Sequence, residues 1–254
     1  MRAMNRQDRD TRLVELVRAR GTARIEDLSG ELGLAPSTIR RDLRRLAGSG
    51  RVVRTYGGAM AGGNGAVNAP GTGPRAYAEK RRIAVAAAAL VGDGQTIAIS
   101  SGTTAIEFAR ELVGRRDLTV ITNSLDVAGV VVDIPGIQLV VLGGVVRPRM
   151  HSLLGHLTEQ ACREVRADVL FMGIGAVSLE RGLMNDYMPE ILTDRALRGI
   201  AGSVVVIADS SKFETLAPAF VFGLEEVDVI VTDSGIDPAV VRELSARGIR
   251  VVVA

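Results

Sequence analysis

Residues 96–112 read TIAISSGTTAIEFAREL: a β-branched run to Ser100 passes through the short turn Ser101, Gly102, Thr103, Thr104 and then into apolar residues at helical spacing. A strand feeding a helix through a tight turn is half of the crossover unit that builds parallel sheets. Similar apolar runs follow downstream, TVIT at 119–122, QLVVL at 138–142, VLFMGI at 169–174, SVVVIA at 203–208, VDVIVT at 227–232 and IRVVVA at 249–254. Helical patterns separate them at 104–113, 126–132, 157–165, 190–200 and 238–247, and another precedes them at 76–90. The alternation predicts an α/β domain over residues 75–254, with a mainly parallel sheet covered by helices.

The turn itself carries chemistry. Small hydroxylated residues opening a helix let backbone amides and the helix dipole face an anion, which makes 101–104 phosphate-shaped. The same residue types are also ordinary helix caps, so spacing alone leaves both readings open. The logic recurs at TNSLDVA after the second strand and at LGGVVR after the third, where Gly143 and Gly144 permit a tight turn and Arg147 follows. Loops at carboxyl strand ends converge on one crevice in such sheets. Beyond the fifth strand, VVVIADSSKF places Lys212 four residues past Ala208. Its ammonium suits a phosphate or a sugar oxygen, and Asp209 is placed to hold that ammonium or to accept a ligand hydroxyl.

Upstream, residues 59–74 read AMAGGNGAVNAPGTGP, with five glycines, two prolines and no charge, the composition of a flexible linker. Before it, Leu13, Leu16 and Val17, then Ile25, Leu28 and Leu32, then Ile39, Leu43 and Leu46 recur at helical spacing and predict three short helices in residues 1–58. Gly21 is placed to end the first, Gly33 to end the second, and Ser37 or Thr38 to cap the third. RVVRTYGGA from Arg51 predicts a small hairpin behind them. Three helices with a four-residue turn before the last match a helix-turn-helix whose final helix enters the major groove. With Ile39, Leu43 and Leu46 on one face, Ser37, Thr38, Arg40, Arg41, Arg44 and Arg45 project elsewhere, where arginines can anchor phosphates and read guanine edges. Arg51 and Arg54 on the hairpin are placed to act as a wing. Asp42 is expected to orient a neighbouring arginine, because phosphate would repel it.

Composition agrees. The chain of 254 residues is 47% hydrophobic and 24% charged, enough for real cores and incompatible with dominant disorder. Residues 1–58 hold 13 Arg against 7 acidic residues, whereas the remainder is net acidic, so a basic head that meets polyanions precedes a mildly acidic body. Of 31 basic residues only Lys80 and Lys212 are lysines. No apolar run reaches the roughly 18–20 residues of a membrane span. The opening MRAMNRQDRDTR has no apolar segment, and Cys162 is the only cysteine, so a cytoplasmic protein is expected.

The head segments RLVELVRARG and IEDLSGELGLAPSTIRRDLRRLAGSGRVVRTYGGA resemble the winged helix-turn-helix of the DeoR family of bacterial transcriptional regulators. EKRRIAVAAAALVGDGQTIAI, SGTT, ITNSLDVA, LGGVVR, ADVLFMGIGAVSLERGL and ADSSKF resemble that family's sensor domain, related in fold to sugar-phosphate isomerases. The resemblance covers almost the whole chain outside the linker. It implies a regulator, by family expectation a repressor of carbohydrate metabolism genes, whose operator binding is modulated by a phosphorylated sugar or related metabolite. It implies Ser101, Gly102, Thr103 and Thr104 around the phosphate, with Asn123, Ser124, Gly143, Gly144, Arg147 and Lys212 completing the pocket. Two departures stand out. Ser100 occupies a position where the family often has an acidic residue, and Pro189, Leu192 and Asp194 fall where more acidic or basic residues are usual, beside Glu190 and Arg195, which fit the family's acidic-then-basic helix.

Other features carry no chemistry by pattern. His151 and His156 lack ligand partners at metal spacing, GIGAVS has Ser178 where a dinucleotide fingerprint needs its third glycine, and Cys162 and Met172 read as packed side chains. No metal or cofactor is expected. The expected partners are double-stranded DNA, a phosphorylated small molecule and further copies of the chain, since a lone winged helix offers few contacts and a dimer or tetramer reads repeated half-sites. Two alternatives remain: an isomerase-like enzyme with an accessory DNA-binding head, and a DNA-binding head on a body that only oligomerises. The enzyme needs a carboxylate and a base near the sugar carbons, against which Ser100 counts.

Overall fold

In the computed structural model, which describes residues 6–20, 22–48, 52–55, 57–61 and 74–254, the chain divides into two compact units, Met1–Asn68 and Ala69–Ala254. In the first, α1 (Arg6–Arg20), β1 (Thr22–Arg24), α2 (Ile25–Leu32), α3 (Pro36–Gly48), β2 (Val52–Thr55) and β3 (Gly58–Ala61) follow one another. The apolar residues at helical spacing turn inward. Leu13, Leu16, Val17, Ile25, Leu28, Ile39, Leu43 and Leu46 are buried together, with Leu32 packed against them. Full burial contributes about 1.5–3 kcal/mol for each such aliphatic side chain.

Gly33 sits just past α2, as expected. Helix α3 already begins at Pro36, so Ser37 and Thr38 lie inside its first turn, and proline's fixed φ makes it a natural first helical residue. β1, β3 and β2 form an antiparallel sheet in that order. A Cβ at Gly58 would lie 2.0 Å from the Ala23 carbonyl oxygen, so the second glycine of YGGA is what lets β3 close onto β1. β3 thus uses residues 59–61, which composition alone assigned to the linker. Gly21, Arg51 and linker residues 62–73 lie outside the described residues.

The second unit opens with α4 (Pro74–Ala88) and then alternates: β4 (Thr96–Ile99), α5 (Thr103–Arg110), β5 (Leu118–Thr122), α6 (Leu125–Val131) and β6 (Ile137–Val141). The hairpin β7 (Val145–Arg147) and β8 (Ser152–Leu154) precedes α7 (His156–Arg163), β9 (Ala167–Met172), β10 (Ala176–Ser178), β11 (Gly182–Asn185), α8 (Ile191–Ile200) and β12 (Ala201–Ile207). β13 (Ala219–Phe222), β14 (Val229–Thr232), α9 (Pro238–Ala246) and β15 (Arg250–Val253) complete it. All seven strands expected from sequence form one parallel sheet, in the order β15-β14-β12-β9-β4-β5-β6.

Strand side chains alternate between two cores. Leu170, Met172, Val204 and Val206 pack with Leu197 and Ile200 of α8, and with Leu244 of α9. On the opposite face Ile97, Ile99, Phe171 and Val205 pack with residues of α4, α5 and α6. There the Phe108 and Phe171 rings stack with centroids 4.3 Å apart. The strands β4, β5 and β6 are laid toward one edge, after which the chain returns to pair β9 with β4 and builds toward the other. That reversal opens a crevice beyond the carboxyl ends of β4 and β9, the place where open α/β sheets bind ligands.

Candidate functional site

The residues at that crevice come from both sides of the reversal. Ser100, Ser101, Gly102, Thr103 and Thr104 leave β4, Gly173, Ile174 and Gly175 leave β9, and Ile207, Ala208 and Lys212 come from the end of β12. Together with Lys80, Asn185, Glu190 and Asp194 they enclose a cavity of about 160 Å³, room for a small metabolite rather than a drug-sized molecule. Ser100 ties the two strand ends together. Its Oγ accepts from the Gly173 amide at 3.0 Å and donates to the Ser101 carbonyl at 3.3 Å. Gly102 precedes α5 as its cap residue, so the first turn of that helix opens on the cavity.

Both lysines of the chain line this cavity. Lys80 arrives from α4 and Lys212 from the turn Ser210–Phe213 after β12. Burial is the main cause holding the Lys80 ammonium below its ordinary value, Asp209 opposes that shift and Lys212 reinforces it. Asp209 is itself buried; its Oδ1 accepts from the Ser211 hydroxyl, while Oδ2 has no hydrogen-bond partner among the described residues. The sequence marked Lys80 only by its rarity.

Carboxyl groups line the same cavity. Glu190, buried at the start of α8, accepts from Arg147 Nη1 at 2.6 Å, Ser152 Oγ at 3.0 Å and Ser101 Oγ at 3.4 Å. Arg147 therefore stands behind the wall, its guanidinium 4.0 Å from the Tyr187 ring centroid, and positions Glu190. Burial raises the Asp194 carboxyl well above the usual range and the neighbouring Glu190 adds to the effect, whereas the Asn185 amide at 2.6 Å opposes it.

Four other sequence candidates serve the fold around the cavity instead of lining it. Asn123 is buried with Nδ2 donating to the Leu153 carbonyl at 3.2 Å, which fastens the β7–β8 hairpin over the end of β5. Ser124 caps α6 by accepting from the Val127 amide at 3.2 Å. Gly143 offers its carbonyl to the Thr158 hydroxyl at 2.5 Å. Gly144 has φ +146, and a Cβ there would lie 2.1 Å from Thr158 Oγ1, so this glycine is needed for the chain to turn past α7.

In the first unit, α3 exposes Ser37, Arg40, Arg41 and Arg44, with Thr38 half-buried. Arg45, expected among the DNA-facing arginines, is instead drawn into the unit: its Nη2 lies 2.6 Å from Asp10 Oδ1 and 2.8 Å from Asp42 Oδ1, and its Nη1 also donates to Asp10. Asp42 orients two arginines, since Arg9 Nε donates to it at 2.7 Å. Burial would raise the Asp42 carboxyl, but hydrogen bonds from Arg9 and Arg45 outweigh it and hold the group below its ordinary value. These pairs fasten α3 to α1 and leave the opposite face of α3 to solvent. Arg54 lies in β2, while Arg51 falls outside the described residues.

His151 meets the Asp126 carboxylate at 3.1 Å, a pairing its sequence spacing did not suggest, and no group of three metal-ligating side chains occurs among the described residues. Cys162 is buried, which, together with Glu159, pushes its thiol up to about 11. No helix among the described residues is long and apolar enough to cross a membrane.

Residues 9–62 match the DeoR-like helix-turn-helix domain and residues 75–234 match the DeoR C terminal sensor domain. Three curated relatives are similar along nearly their whole length. The putative aga operon transcriptional repressor of Escherichia coli O157:H7 is 30% identical over 99% of this chain and 95% of its own. The transcriptional repressor AccR of Agrobacterium fabrum is 34% identical over 90% of each chain. The glycerol-3-phosphate regulon repressor of Escherichia coli K12 is 30% identical over 91% of this chain and 92% of its own. Among solved structures, ribose 5-phosphate isomerase A from Methanocaldococcus jannaschii aligns over 53% of each chain at 24% identity and TM-score 0.40, a likeness too partial to support a functional reading.

Proposed function

The chain belongs to the DeoR family of transcriptional regulators, and from that premise we propose that it represses carbohydrate-metabolism genes and that a phosphorylated sugar or related metabolite modulates its hold on DNA. The observation that carries the ligand half is the meeting of Lys80, Lys212 and residues 101–104 in one cavity at the sheet's reversal point. A phosphate there has two ammonium partners and the amides of the first turn of α5, the two elements of an anion site. Asn185, Glu190 and Asp194 then face the sugar portion. This arrangement binds and senses; no turnover is assigned to it.

Arg40, Arg41 and Arg44 on the open face of α3 support the DNA half, with Ser37 and Thr38 at the end of that helix which leads into the major groove in this motif. Arg54, and Arg51 as read from sequence, would extend the contact as a wing. Paired copies of the chain on repeated half-sites supply the contact area that one small head lacks. For the ligand to control DNA binding it must prefer one of the DNA-competent and DNA-incompetent arrangements, since equal affinity shifts nothing. A cytoplasmic location follows from such a role.

Two measurements test the reading. Thermal melting against paired phosphorylated and unphosphorylated sugars should show stabilisation by at least one phosphorylated member, because a ligand bound only to the folded state raises its stability. Selection of binding sites from randomised duplex DNA should return a repeated half-site. Absence of any phosphate-dependent shift would overturn the sensor, and absence of sequence enrichment would overturn the regulator.

A further inference from the structure

Residues 118–146 carry only two charges, Asp126 and Asp133, in a chain that is 24% charged. They build one flank of the sensor domain: β5, α6, the edge strand β6 and, after the short turn 142–144, β7. Leu125 and Val132 at the two ends of α6, Val141 at the end of β6, and Val145 and Val146 on β7 are each between 42% and 72% exposed, and Leu157 at the start of α7 joins them. β6 ends the seven-stranded sheet, and among the described residues β7 pairs only with β8, so each leaves one backbone edge without a strand partner. Val145 and Val146 are consecutive, which puts apolar side chains on both faces of that ribbon.

A strand edge left to water is commonly blunted with charge. The opposite end of the sheet follows that rule, since β15 begins at the exposed Arg250, two residues after the exposed Arg247–Gly248 turn. β6 and β7 do not: no charge occurs from Ile134 to Val146, and Arg147 turns inward to Glu190 at 2.6 Å. Nor is the ribbon loose. The Leu153 amide on β8 donates to the Asn123 carbonyl at 2.7 Å and Ser152 Oγ donates to Glu190 at 3.0 Å, so β7 is held in place before a partner arrives and docking costs little ordering.

We propose that this flank is where two copies of the chain meet, with β6 and β7 edge to edge about a twofold axis. The six side chains expose on the order of 500 Å² in one chain, so pairing removes about 1,000 Å² of apolar surface, the size at which a specific interface begins. An uncharged edge also meets its own image without repulsion, whereas a different partner is ordinarily selected by complementary charge. The twofold sets identical strands antiparallel, which gives each open backbone edge a partner. This pairing rests on the repeated half-sites of the proposed function and gives the paired copies a surface.

Sedimentation velocity of the full chain over a range of concentrations tests the pairing with Val145→Glu, Val145→Lys and, away from the flank, Leu216→Glu, each checked for parent-like melting. The parent and Leu216→Glu are expected to associate alike. Val145→Glu and Val145→Lys should each raise the dissociation constant about ten-fold or more, because like charges then face each other across the interface. An equal mixture of those two variants should recover association. Val145→Glu associating as tightly as the parent, a mixture that recovers nothing, or a loss confined to Leu216→Glu would overturn the pairing while leaving the regulator and its sensor standing. A parent chain that is monomeric at every concentration, yet selects a DNA site, would overturn the second copy as occupant and pass the flank to a different protein. Absence of both association and site selection would remove the regulator as well.

Discussion

Lys80 on α4 and Lys212 in the turn after β12 line one cavity, and no other lysine occurs in the chain. If they hold a phosphate, Lys80→Ala and Lys212→Ala should each weaken a phosphorylated sugar by about 10- to 150-fold, the worth of a hydrogen bond to a charged group at about 1.5–3 kcal/mol. Titration calorimetry checks this. The unphosphorylated sugar should lose little, and equal losses for both ligands would mean the lysines shape the cavity without meeting the phosphate.

The burial that lowers the Lys80 pKa also sets a pH dependence. Phosphate affinity should fall as pH rises through that lowered value, before an ordinary lysine would deprotonate. Lys80→Arg should shift the loss to higher pH, because a guanidinium keeps its proton. An affinity profile measured from neutral to alkaline pH in both proteins separates the cases.

Two aspartates should give acid stability of opposite sign. Asp42 is held below its unfolded value, so its contribution is present above about pH 4 and is lost as pH falls through its folded pKa. Asp194 is raised, so the folded state holds its proton longer: its contribution is full below about pH 4 and fades as pH rises toward its folded pKa. Melting temperatures across a pH series should therefore show Asp194→Asn gaining on the parent protein as pH rises. A constant difference would contradict the raised Asp194.

Arg40 and Arg41 should part company with Arg45. Arg40→Ala or Arg41→Ala is expected to cost about 1–3 kcal/mol of operator binding if the side chain reads a base, with thermal stability unchanged. Arg45→Ala leaves Asp10 and Asp42 facing each other and should lower the head's stability by about 1–2 kcal/mol, discounted for partial exposure. Operator titrations and melting curves on the three variants distinguish reading from fastening.

Gly144→Ala should damage the sensor fold. At φ +146 the added Cβ meets Thr158 Oγ1 and the Leu154 carbonyl, a combined strain and clash of about 3 kcal/mol or more. A lower melting temperature with ligand affinity retained in the surviving folded fraction is expected. Loss of affinity at unchanged stability would return Gly144 to the ligand site.

The central sheet was legible because its seven strands are apolar runs long enough to carry their own signal. β7, β10, β11 and β13 were not, because they pair antiparallel in small side sheets outside the strand–helix alternation, where tertiary contact decides the pairing. The same divide runs through the cavity. Ser101 to Thr104 and Lys212 follow their strands directly, so strand-end chemistry finds them. Lys80, Asn185 and Asp194 reach the wall from α4, β11 and α8, and no local spacing reports that meeting. Arg45 shows the limit of charge pattern: its place on α3 resembles that of Arg41, and only packing against α1 reveals Asp10 beside it.

On the proposed function, a phosphorylated sugar in this cavity changes the grip on DNA. Fluorescence anisotropy of the full chain on DNA upstream of its own gene, at two salt concentrations and with a panel of sugar phosphates, measures it directly. Saturable, salt-sensitive binding that exceeds binding to scrambled duplex and that at least one sugar phosphate alters is expected. Indifference between the two duplexes, or isotherms that no sugar phosphate moves, would contradict it.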